Sequence, residues 1–369
     1  MTNQSPSELN VMGYFLSSIG LGQAARNIAY ALETTNIQAT FIDIHVEGLS
    51  NPNEFSGKCG GYVPNLNNLT VCGIDLLGQL PPIFRNAGGL GKNNFLYPFW
   101  ELDRIPYDNH KELICYDDIF APSKFSADAF SNFLGKEIAI IPTPVEIPAT
   151  SETNYLKGDK LSIFSLLDFA SWVDRKNPMG VLDAFQLAFP PTYTDVELIV
   201  KVRGAVSTYG QDDTRTTLEK YSERDQRIKI IDQTLDRAQV DELISQCNVY
   251  LSMHRSEGFG FGPAEAMARG KIVIATDYGG TTDFINHSTG FPVAYKLAPV
   301  KPGEYFGGDN QLWADPLLDS AASCLRDVYE HYDLALQKAI NGRDWLTKNN
   351  SFPVVGRLLE STLRSKGYI

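Results

Sequence analysis

Short apolar runs alternate along the chain with longer amphipathic stretches, and glycine-rich turns separate many of them. The runs that begin near Asn10, Leu161 and Val249 are each short enough to be a buried parallel strand. Strands that alternate with helices are typical of βαβ units, in which helices cover a parallel sheet. The pattern therefore predicts an α/β protein.

One proline-containing stretch, from Pro142 to about Gly158, interrupts this alternation and predicts a linker. The chain has 369 residues, which is enough for two domains of ordinary size. We therefore expect two α/β domains, one over residues 1–150 and a second that begins near residue 151, each built on its own sheet.

Composition narrows the class of protein. A net charge of −12 argues against a broad nucleic-acid surface, so we expect no nucleic-acid partner. The five cysteines are scattered without a C-x-x-C pair, which favours a reducing compartment and a cytoplasmic location. The polar N-terminus has no signal-peptide pattern, and no apolar run is long enough to span a bilayer. A peripheral membrane contact stays open.

Two carboxylates, Glu257 and Glu265, bracket a loop that holds three glycines and Pro263. Glycines let the backbone approach a ligand, and the positive end of the following helix favours an anion. We expect Glu257 at the mouth of the loop, where it accepts hydrogen bonds from sugar hydroxyls. We expect Glu265 in the first helical turn, where it binds a cis-diol such as a ribose. The alternative is that Glu265 only caps a helix and the glycines only turn the chain.

Two adjacent cations, Arg175 and Lys176, lie between a predicted strand and a helix that begins near Pro178. Cations beside a helix N-terminus suit a diphosphate. The alternative, a solvated basic pair on a loop, is weakened by this placement.

The first predicted βαβ unit carries Gly20 and Gly22 in a G-x-G-x-x-A pattern that ends at Ala25, and Asp43 follows near the usual acidic position. This pattern also suits a dinucleotide, so an NAD-type oxidoreductase is an alternative. Gly22 has a further interpretation as a packing residue in a tight strand–helix turn.

Another predicted strand ends in Trp100 and Glu101, where parallel sheets place residues that face a ligand. Glu101 is a candidate for contact with a hydroxylated acceptor. For Trp100, core packing and ligand stacking are equally favoured.

The sequence also predicts several local features. His254 has two interpretations, as a residue that lines the pocket or as one that caps the end of a strand. The further expectations are helix N-caps at Ser123 and near Asp236, a capped helix from Thr281, a loop over residues 296–316 and packing of Trp313.

The stretch EGFGFGPAEAMA, residues 257–268, resembles the Glu-x7-Glu signature of retaining glycosyltransferases of family 4. The resemblance covers most of the chain and is strongest from about Leu161 to Val293. It implies the GT-B fold, α/β with two Rossmann-like domains that face each other across a cleft. It also implies that the last helix, about residues 350–369, joins the N-terminal, acceptor-side domain, and that residues 151–349 bind the nucleotide sugar.

The same resemblance assigns roles to residues. The first glutamate, Glu257, lies against the donor sugar, and Glu265 binds the nucleotide ribose. Lys176 and Arg175 match a phosphate clamp, although the family's upstream arginine is missing and Asp168 lies near its place. The catalytic candidates are thus Glu257, Lys176, Arg175 and Glu101. The further donor-binding candidates are Gly20, Gly22, Arg203, Phe259, Gly260, Phe261 and Gly262.

The resemblance implies a retaining transfer of a sugar from a nucleotide diphosphate sugar, of the GDP-mannose or UDP-glucose type. The acceptor is a hydroxyl of a glycan, a lipid or a small molecule. The sequence has no Asp-x-Asp triplet, so we expect no metal and no cofactor. Besides the oxidoreductase, the alternatives are a GT-B sugar-nucleotide epimerase and a non-catalytic sugar-nucleotide binder.

Overall fold

The computed structural model describes residues 8–46, 51, 53–79, 92–149, 159–169, 171–203, 212–233 and 235–369, without the side chains of Gln79, Arg203 and Asp212. The chain divides into two compact units. The N-terminal unit comprises Met1–Glu146 and Lys348–Ile369, and the C-terminal unit comprises Ile147–Thr347. Each unit holds one six-stranded sheet in which every described strand pair is parallel.

The sheet of the N-terminal unit has the order β2-β1-β3-β4-β5-β6. Its strands are β1 (Leu9–Gly13), β2 (Ala39–Asp43), β3 (Asn67–Gly73), β4 (Asn94–Phe99), β5 (Asp118–Ala121) and β6 (Ala139–Ile140). Its first helices are α1 (Gly20–Glu33), α2 (His110–Leu113) and α3 (Lys124–Leu134), with 3₁₀ turns at Ile74–Gln79 and Tyr107–Asn109. Strands β1, β3 and β4 are buried along their whole length, as apolar runs in a parallel sheet should be.

The sheet of the C-terminal unit has the order β12-β11-β10-β7-β8-β9. Its strands are β7 (Leu161–Asp168), β8 (Val196–Arg203), β9 (Ile228–Asp232), β10 (Val249–Ser252), β11 (Ile272–Thr276) and β12 (Phe291–Val293). Its helices are α4 (Val173–Lys176), α5 (Pro178–Ala188), α6 (Asp212–Arg224), α7 (Arg237–Gln246), α8 (Phe261–Ala268), α9 (Leu318–Glu330) and α10 (Tyr332–Asn349).

The last helix, α11 (Phe352–Ser365), belongs to the N-terminal unit and packs against α1. The approach is close, because a Cβ on Gly356 would lie 2.2 Å from the Ala31 carbonyl oxygen. The rings of Tyr30 and Phe352 extend the contact, with centroids 5.4 Å apart.

Polar residues fix several helix ends as the sequence predicts. The Ser123 hydroxyl accepts the Ser126 amide at 3.2 Å and caps α3, which confirms the predicted N-cap. Asp236 and Gln239 form a reciprocal capping box at the start of α7. These caps satisfy amides that the first helical turn leaves without an intrahelical acceptor.

Two local predictions are wrong. Residues 296–316, predicted as a loop, contain the antiparallel strands β13 (Tyr295–Pro299) and β14 (Leu312–Pro316). Glycine and charged residues between these short strands hide the alternation that marks a hairpin. The helix expected from Thr281 is only a 3₁₀ turn, Gly280–Asp283. Trp313 packs as predicted, with 1% of its surface exposed.

The direction in which successive strands are added to the C-terminal sheet reverses between β7 and β10. From β7 the chain continues to β8 and β9 on one side, while β10 lies on the other side of β7. Loops that follow two such strands diverge and leave a crevice at the carboxyl edge, where open α/β sheets bind ligands. Among the described residues, no helix is both long enough and apolar enough to cross a membrane.

Candidate active site

The segments that follow β7 and β10 bring together three of the predicted catalytic residues. Arg175 and Lys176 end the short helix α4 that follows β7, and Glu257 lies in the loop that follows β10. Arg175 Nη1 lies 2.8 Å from Glu257 Oε2, and Lys176 Nζ binds Glu257 Oε1. Residues 81 positions apart in sequence therefore form one charged cluster.

The carboxylate of this cluster is buried and ionised. Glu257 was expected at the mouth of the loop, yet only 5% of the residue is exposed. Burial by itself raises the pKa of Glu257, but the charges of Arg175 and Lys176 outweigh it and lower the pKa to about 2. Both carboxylate oxygens are engaged by cations, so Glu257 is a weak base and a weak nucleophile.

The two cations differ in their surroundings. Arg175 is buried, and its Nη1 also donates to the Ser256 carbonyl at 2.9 Å. Its own carbonyl accepts the Arg255 amide at 2.7 Å, which ties α4 to the loop after β10. Lys176 keeps 25% of its side chain exposed. Arg175 therefore fixes the cluster, and Lys176 is the cation that a ligand can reach.

The glycine loop brings backbone close to the cluster. Gly260 has φ +97° and occupies the N-cap of α8, a conformation that favours glycine. A Cβ on Gly262 would lie 2.1 Å from Tyr250 Oη, so no larger residue fits without movement. The ring of Phe259 is buried and meets Phe261 and Phe284, with centroids 5.4 Å away in each case. The loop is thereby anchored, and α8 begins at Phe261.

A second glycine pair supports the loop from the adjacent strand β11. The Gly280 amide donates to the Glu257 carbonyl at 2.7 Å. Gly279 has φ +84°, and a Cβ on Gly280 would lie 2.2 Å from the Gly258 carbonyl oxygen. Glycines at 279 and 280 therefore let two loops at the carboxyl edge touch through their backbones.

A buried histidine lies behind the cluster. His254 Nδ1 is 3.0 Å from Ser252 Oγ, and His254 Nε2 is 3.1 Å from the Tyr278 carbonyl oxygen. A carbonyl only accepts, so Nε2 carries the proton and Nδ1 accepts from the serine. Burial lowers the pKa of His254 to about 4, against the opposing charge of Glu257 and with the cations Arg175 and Lys176 adding to the decrease. Sequence reasoning left open whether His254 lines the pocket or caps the strand, and the structure makes it a neutral link between two loops.

This histidine predicts a pH dependence of stability. The unfolded imidazole binds a proton near pH 6.5 and the folded one only near pH 4, so between these values the unfolded state holds more protons. We expect the C-terminal unit to lose on the order of 3 kcal/mol of stability as the pH falls from 6.5 to 4. Denaturant unfolding of His254→Gln should lack most of this loss.

The exposed His287, in the same unit, gives the matched control, since His287→Gln removes a histidine outside the buried cluster. A wild-type pH profile in His254→Gln would show that other groups cause the acid sensitivity.

The second glutamate, Glu265, has a different ion-pair partner. Glu265 is the fifth residue of α8, just past the first turn in which it was expected, because the helix starts two residues before Pro263. Its Oε1 accepts from Arg237 Nη1 at 2.6 Å. The sequence analysis did not identify Arg237 as a site residue. Its spacing to Asp241 predicts only an i,i+4 pair on one helix.

Three candidates lie at the carboxyl edge of the sheet in the N-terminal unit. Gly22 is buried, and a Cβ there would lie 2.1 Å from the Ser17 carbonyl oxygen, so this glycine has a packing reason of its own. Gly20 is exposed and has open space around its Cα. Glu101 is partly exposed just after β4.

Trp100, next to Glu101, follows the core-packing interpretation. It is 1% exposed, and its Nε1 donates to the Arg104 carbonyl at 3.1 Å. Arg203 is the last residue of β8, but its side chain lies outside the described part of the chain. Among the described residues, no group of three or more His, Cys, Asp or Glu side chains is placed to hold a metal ion.

One known family model matches the part of the chain that holds this cluster. Residues 166–296, which contain the Arg175, Lys176 and Glu257 cluster, match the family model of glycosyl transferases group 1. No curated protein matches the chain significantly by sequence.

Solved structures resemble the chain over 81% to 98% of its length. Sucrose-phosphate synthase from Thermosynechococcus elongatus is 13% identical with a TM-score of 0.70, covering 98% of this chain and 99% of its own. Anabaena HepE in complex with UDP-glucose is 15% identical with a TM-score of 0.66, covering 97% and 99%. S. aureus TarM is 14% identical with a TM-score of 0.59 over 81% of this chain, which spans only 55% of the TarM chain.

The fold class is therefore GT-B, α/β with two Rossmann-like units, as the sequence predicts. The glycosyl transferases group 1 model matches part of the C-terminal unit of this fold, over residues 166–296.

Proposed function

We propose that the protein is a retaining, metal-independent glycosyltransferase that moves a sugar from a nucleotide diphosphate sugar to a hydroxyl acceptor. The observation that carries the proposal is the Arg175, Lys176 and Glu257 cluster at the switch point of a sheet in the segment that the glycosyl transferases group 1 model matches. Cations beside a glycine-rich loop at this edge of the sheet suit an activated sugar with a diphosphate leaving group.

The residues divide the work as follows. Lys176, with the amides from Phe259 to Gly262, meets the charge that develops on the departing diphosphate. Glu257 accepts hydroxyl hydrogens of the donor sugar, and Glu265 accepts those of the ribose. Because Glu257 is held ionised by two cations, it orients the sugar rather than attacking it. Same-face attack by the acceptor hydroxyl then retains the configuration without an enzyme nucleophile.

Fixed cations replace a metal in this scheme. The sequence has no Asp-x-Asp triplet, and Lys176 supplies a positive charge where the leaving group needs one. We expect activity to persist in EDTA and to need no added cofactor.

The choice of first donor follows from the neighbours. The HepE structure contains UDP-glucose, and the TarM structure contains UDP. We therefore propose UDP-glucose as the first donor to test and GDP-mannose as the second. The acceptor belongs to the hydroxylated class: a glycan, a lipid or a small molecule. The Gly20 loop and Glu101 are proposed contacts for the donor phosphate or acceptor.

The test combines binding with product analysis. A thermal-shift panel of UDP, GDP and their sugars reports base and sugar preference, because a ligand that binds the folded state raises its stability. NMR of the product made with an acceptor panel in EDTA then gives the anomeric configuration. An inverted product, or a strict need for a divalent metal, would overturn the corresponding part of the proposal.

The alternatives give different results in the same panel. An NAD-type enzyme would be stabilised by NAD, but the acidic residue of its fingerprint, Asp43, already accepts the Leu16 amide at 2.8 Å through Oδ1. An epimerase would release UDP and an altered sugar without an acceptor. A non-catalytic binder would be stabilised by the nucleotide sugar without turnover.

Glu265→Ala should weaken nucleotide binding more than it slows turnover. A hydrogen bond to a charged group is worth about 1.5–3 kcal/mol, so the Kd for UDP or GDP should rise roughly 10- to 100-fold. Isothermal titration and a separate comparison of KM with kcat measure the two effects. The control is Glu242→Ala, an exposed glutamate of α7. An unchanged Kd in Glu265→Ala would remove the ribose role.

A further inference from the structure

Glu265 is held in a closed ring of alternating charges between α7 and α8. Arg237 Nη1 donates to Glu265 Oε1 at 2.6 Å, and Arg237 Nε lies 3.0 Å from Asp241 Oδ2. Arg269 Nη2 lies 2.7 Å from Asp241 Oδ1, and Arg269 Nη1 returns to the Glu265 carbonyl at 3.2 Å. The ring thus begins and ends on one residue.

The ring leaves one oxygen of Glu265 available. The side chain is 13% exposed, and among the described residues Oε2 makes no further ion pair or hydrogen bond. Arg237 keeps 40% of its side chain exposed, so this arginine also borders solvent. One carboxylate oxygen is fixed, while the other is free to accept from a ligand.

Stability alone is a weak reason for the arrangement. Arg237 keeps 40% of its side chain exposed, and ion pairs of such a surface group contribute only about 0–1 kcal/mol each, because water screens them and ordering a long side chain costs entropy. Preorganisation is a stronger reason, since a carboxylate already held in its binding rotamer loses less entropy when a diol docks. A carboxylate oxygen only accepts hydrogen bonds, which suits the hydroxyls of a cis-diol.

We propose that Arg237 is a positioning residue for the nucleotide ribose, which acts by holding Glu265 in the geometry that receives the 2′- and 3′-hydroxyls. The proposal rests on the proposed function, because it takes a nucleoside diphosphate as the ligand. It goes further in assigning ribose recognition to a residue of α7, outside the glycine loop and outside the Glu-x7-Glu spacing.

The test measures how strongly the protein distinguishes a ribose from a 2′-deoxyribose. Isothermal titration compares UDP with 2′-deoxy-UDP, and GDP with 2′-deoxy-GDP, on wild type, Arg237→Ala and Arg237→Lys. In wild type we expect the preferred ribonucleotide to bind roughly 10-fold more tightly than its deoxy form, the value of one hydrogen bond to a charged group. In Arg237→Ala we expect the ribonucleotide to weaken about 10-fold and the preference over the deoxy form to fall below about 2-fold.

A different result is expected if Arg237 only stabilises the packing of α7 against α8. Arg237→Ala would then lower the melting temperature, or weaken the binding of the ribonucleotide and of its deoxy form equally. The ribose preference would keep its wild-type value, which overturns the proposal. Arg237→Lys should restore part of the preference, because its ammonium also reaches a carboxylate. Arg224→Ala, an exposed arginine of α6, is the matched control and should retain the full preference.

The same titrations distinguish a failure of the proposed function from a failure of the role of Arg237. If wild type binds neither UDP nor GDP, the nucleotide-sugar assignment falls and the role of Arg237 falls with it. If wild type binds one of them with a ribose preference that Arg237→Ala retains, only the role of Arg237 is overturned.

Discussion

Lys176→Ala should lower kcat roughly 100- to 1000-fold with a much smaller change in KM. The expected size is that of removing one preorganised group that meets transition-state charge, about 3–4 kcal/mol. Lys176 is the exposed member of the cluster, with 25% of its side chain open to a ligand. Its charge gains most value when the diphosphate departs, so turnover suffers more than binding.

The fold should survive this change, which makes the kinetic result interpretable. Arg175 still pairs with Glu257 at 2.8 Å when Lys176 is gone, so the buried carboxylate keeps a counter-charge. We expect circular dichroism and thermal unfolding close to wild type. The matched control is Lys301→Ala, because Lys301 is 77% exposed and forms a surface pair with Glu304. Transfer at the wild-type rate by Lys176→Ala would refute its role at the diphosphate.

The convergence of Lys176 and Glu257 could be predicted because parallel sheets restrict where loops meet. Both residues follow predicted strands, and the carboxyl ends of parallel strands share one edge. The sequence does not specify the strand order that makes β7 and β10 neighbours. That order decides which of several glycine-rich or charged loops lie together, and it comes from packing over the whole unit.

The main difference between the predicted and the observed cluster is the burial of the Glu257 carboxylate. A glutamate before glycines resembles an exposed loop residue, since charged side chains are rarely buried without partners. Here the partner, Arg175, is supplied from 82 residues upstream. Of the two cations that match the family pattern, Arg175 is the more deeply buried.

The ring around Glu265 also could not be predicted, because it depends on contacts between helices. Arg237 and Asp241 follow an ordinary i,i+4 spacing, and only the packing of α7 beside α8 connects them to Glu265 and Arg269. Local patterns predict the helices but not which of their surface charges meet. The β13–β14 hairpin was missed for a related reason, since strands of five residues separated by a long connection carry little periodicity.

Arg175 and Lys176 thus perform different tasks despite being adjacent. Arg175 is buried and joins two loops, so its removal should lower the stability of the fold. Lys176 is accessible to a ligand, so its removal should lower the rate of turnover. Comparing variants of Lys176 with variants of the Arg175–Glu257 pair therefore separates the chemistry of the site from its construction.

Glu257→Gln should be the most destabilising single change in the site. Glutamine keeps the shape but removes the charge that faces Arg175, a residue with 5% of its surface exposed. Breaking a buried ion pair by neutralising one partner costs about 3–5 kcal/mol, because the other charge stays buried without compensation. Denaturant unfolding of the C-terminal unit at pH 7 measures this loss, and the double variant with Arg175→Met should be less destabilised than the sum of the singles.

The pH dependence of this difference gives an independent check. The folded pKa of Glu257, about 2, lies below the unfolded value of 4.5, so the ionised carboxylate stabilises the fold fully above pH 4.5 and loses this contribution as the pH falls towards 2. The gap in unfolding free energy between wild type and Glu257→Gln should therefore be constant from pH 7 to about 5 and shrink below 4.5. His254 contributes to both proteins in the same acid range, so the comparison is repeated on the His254→Gln background. A gap below about 1 kcal/mol at pH 7 would mean that solvent compensates Arg175 as it does at a surface pair, and the buried cluster would lose its structural role.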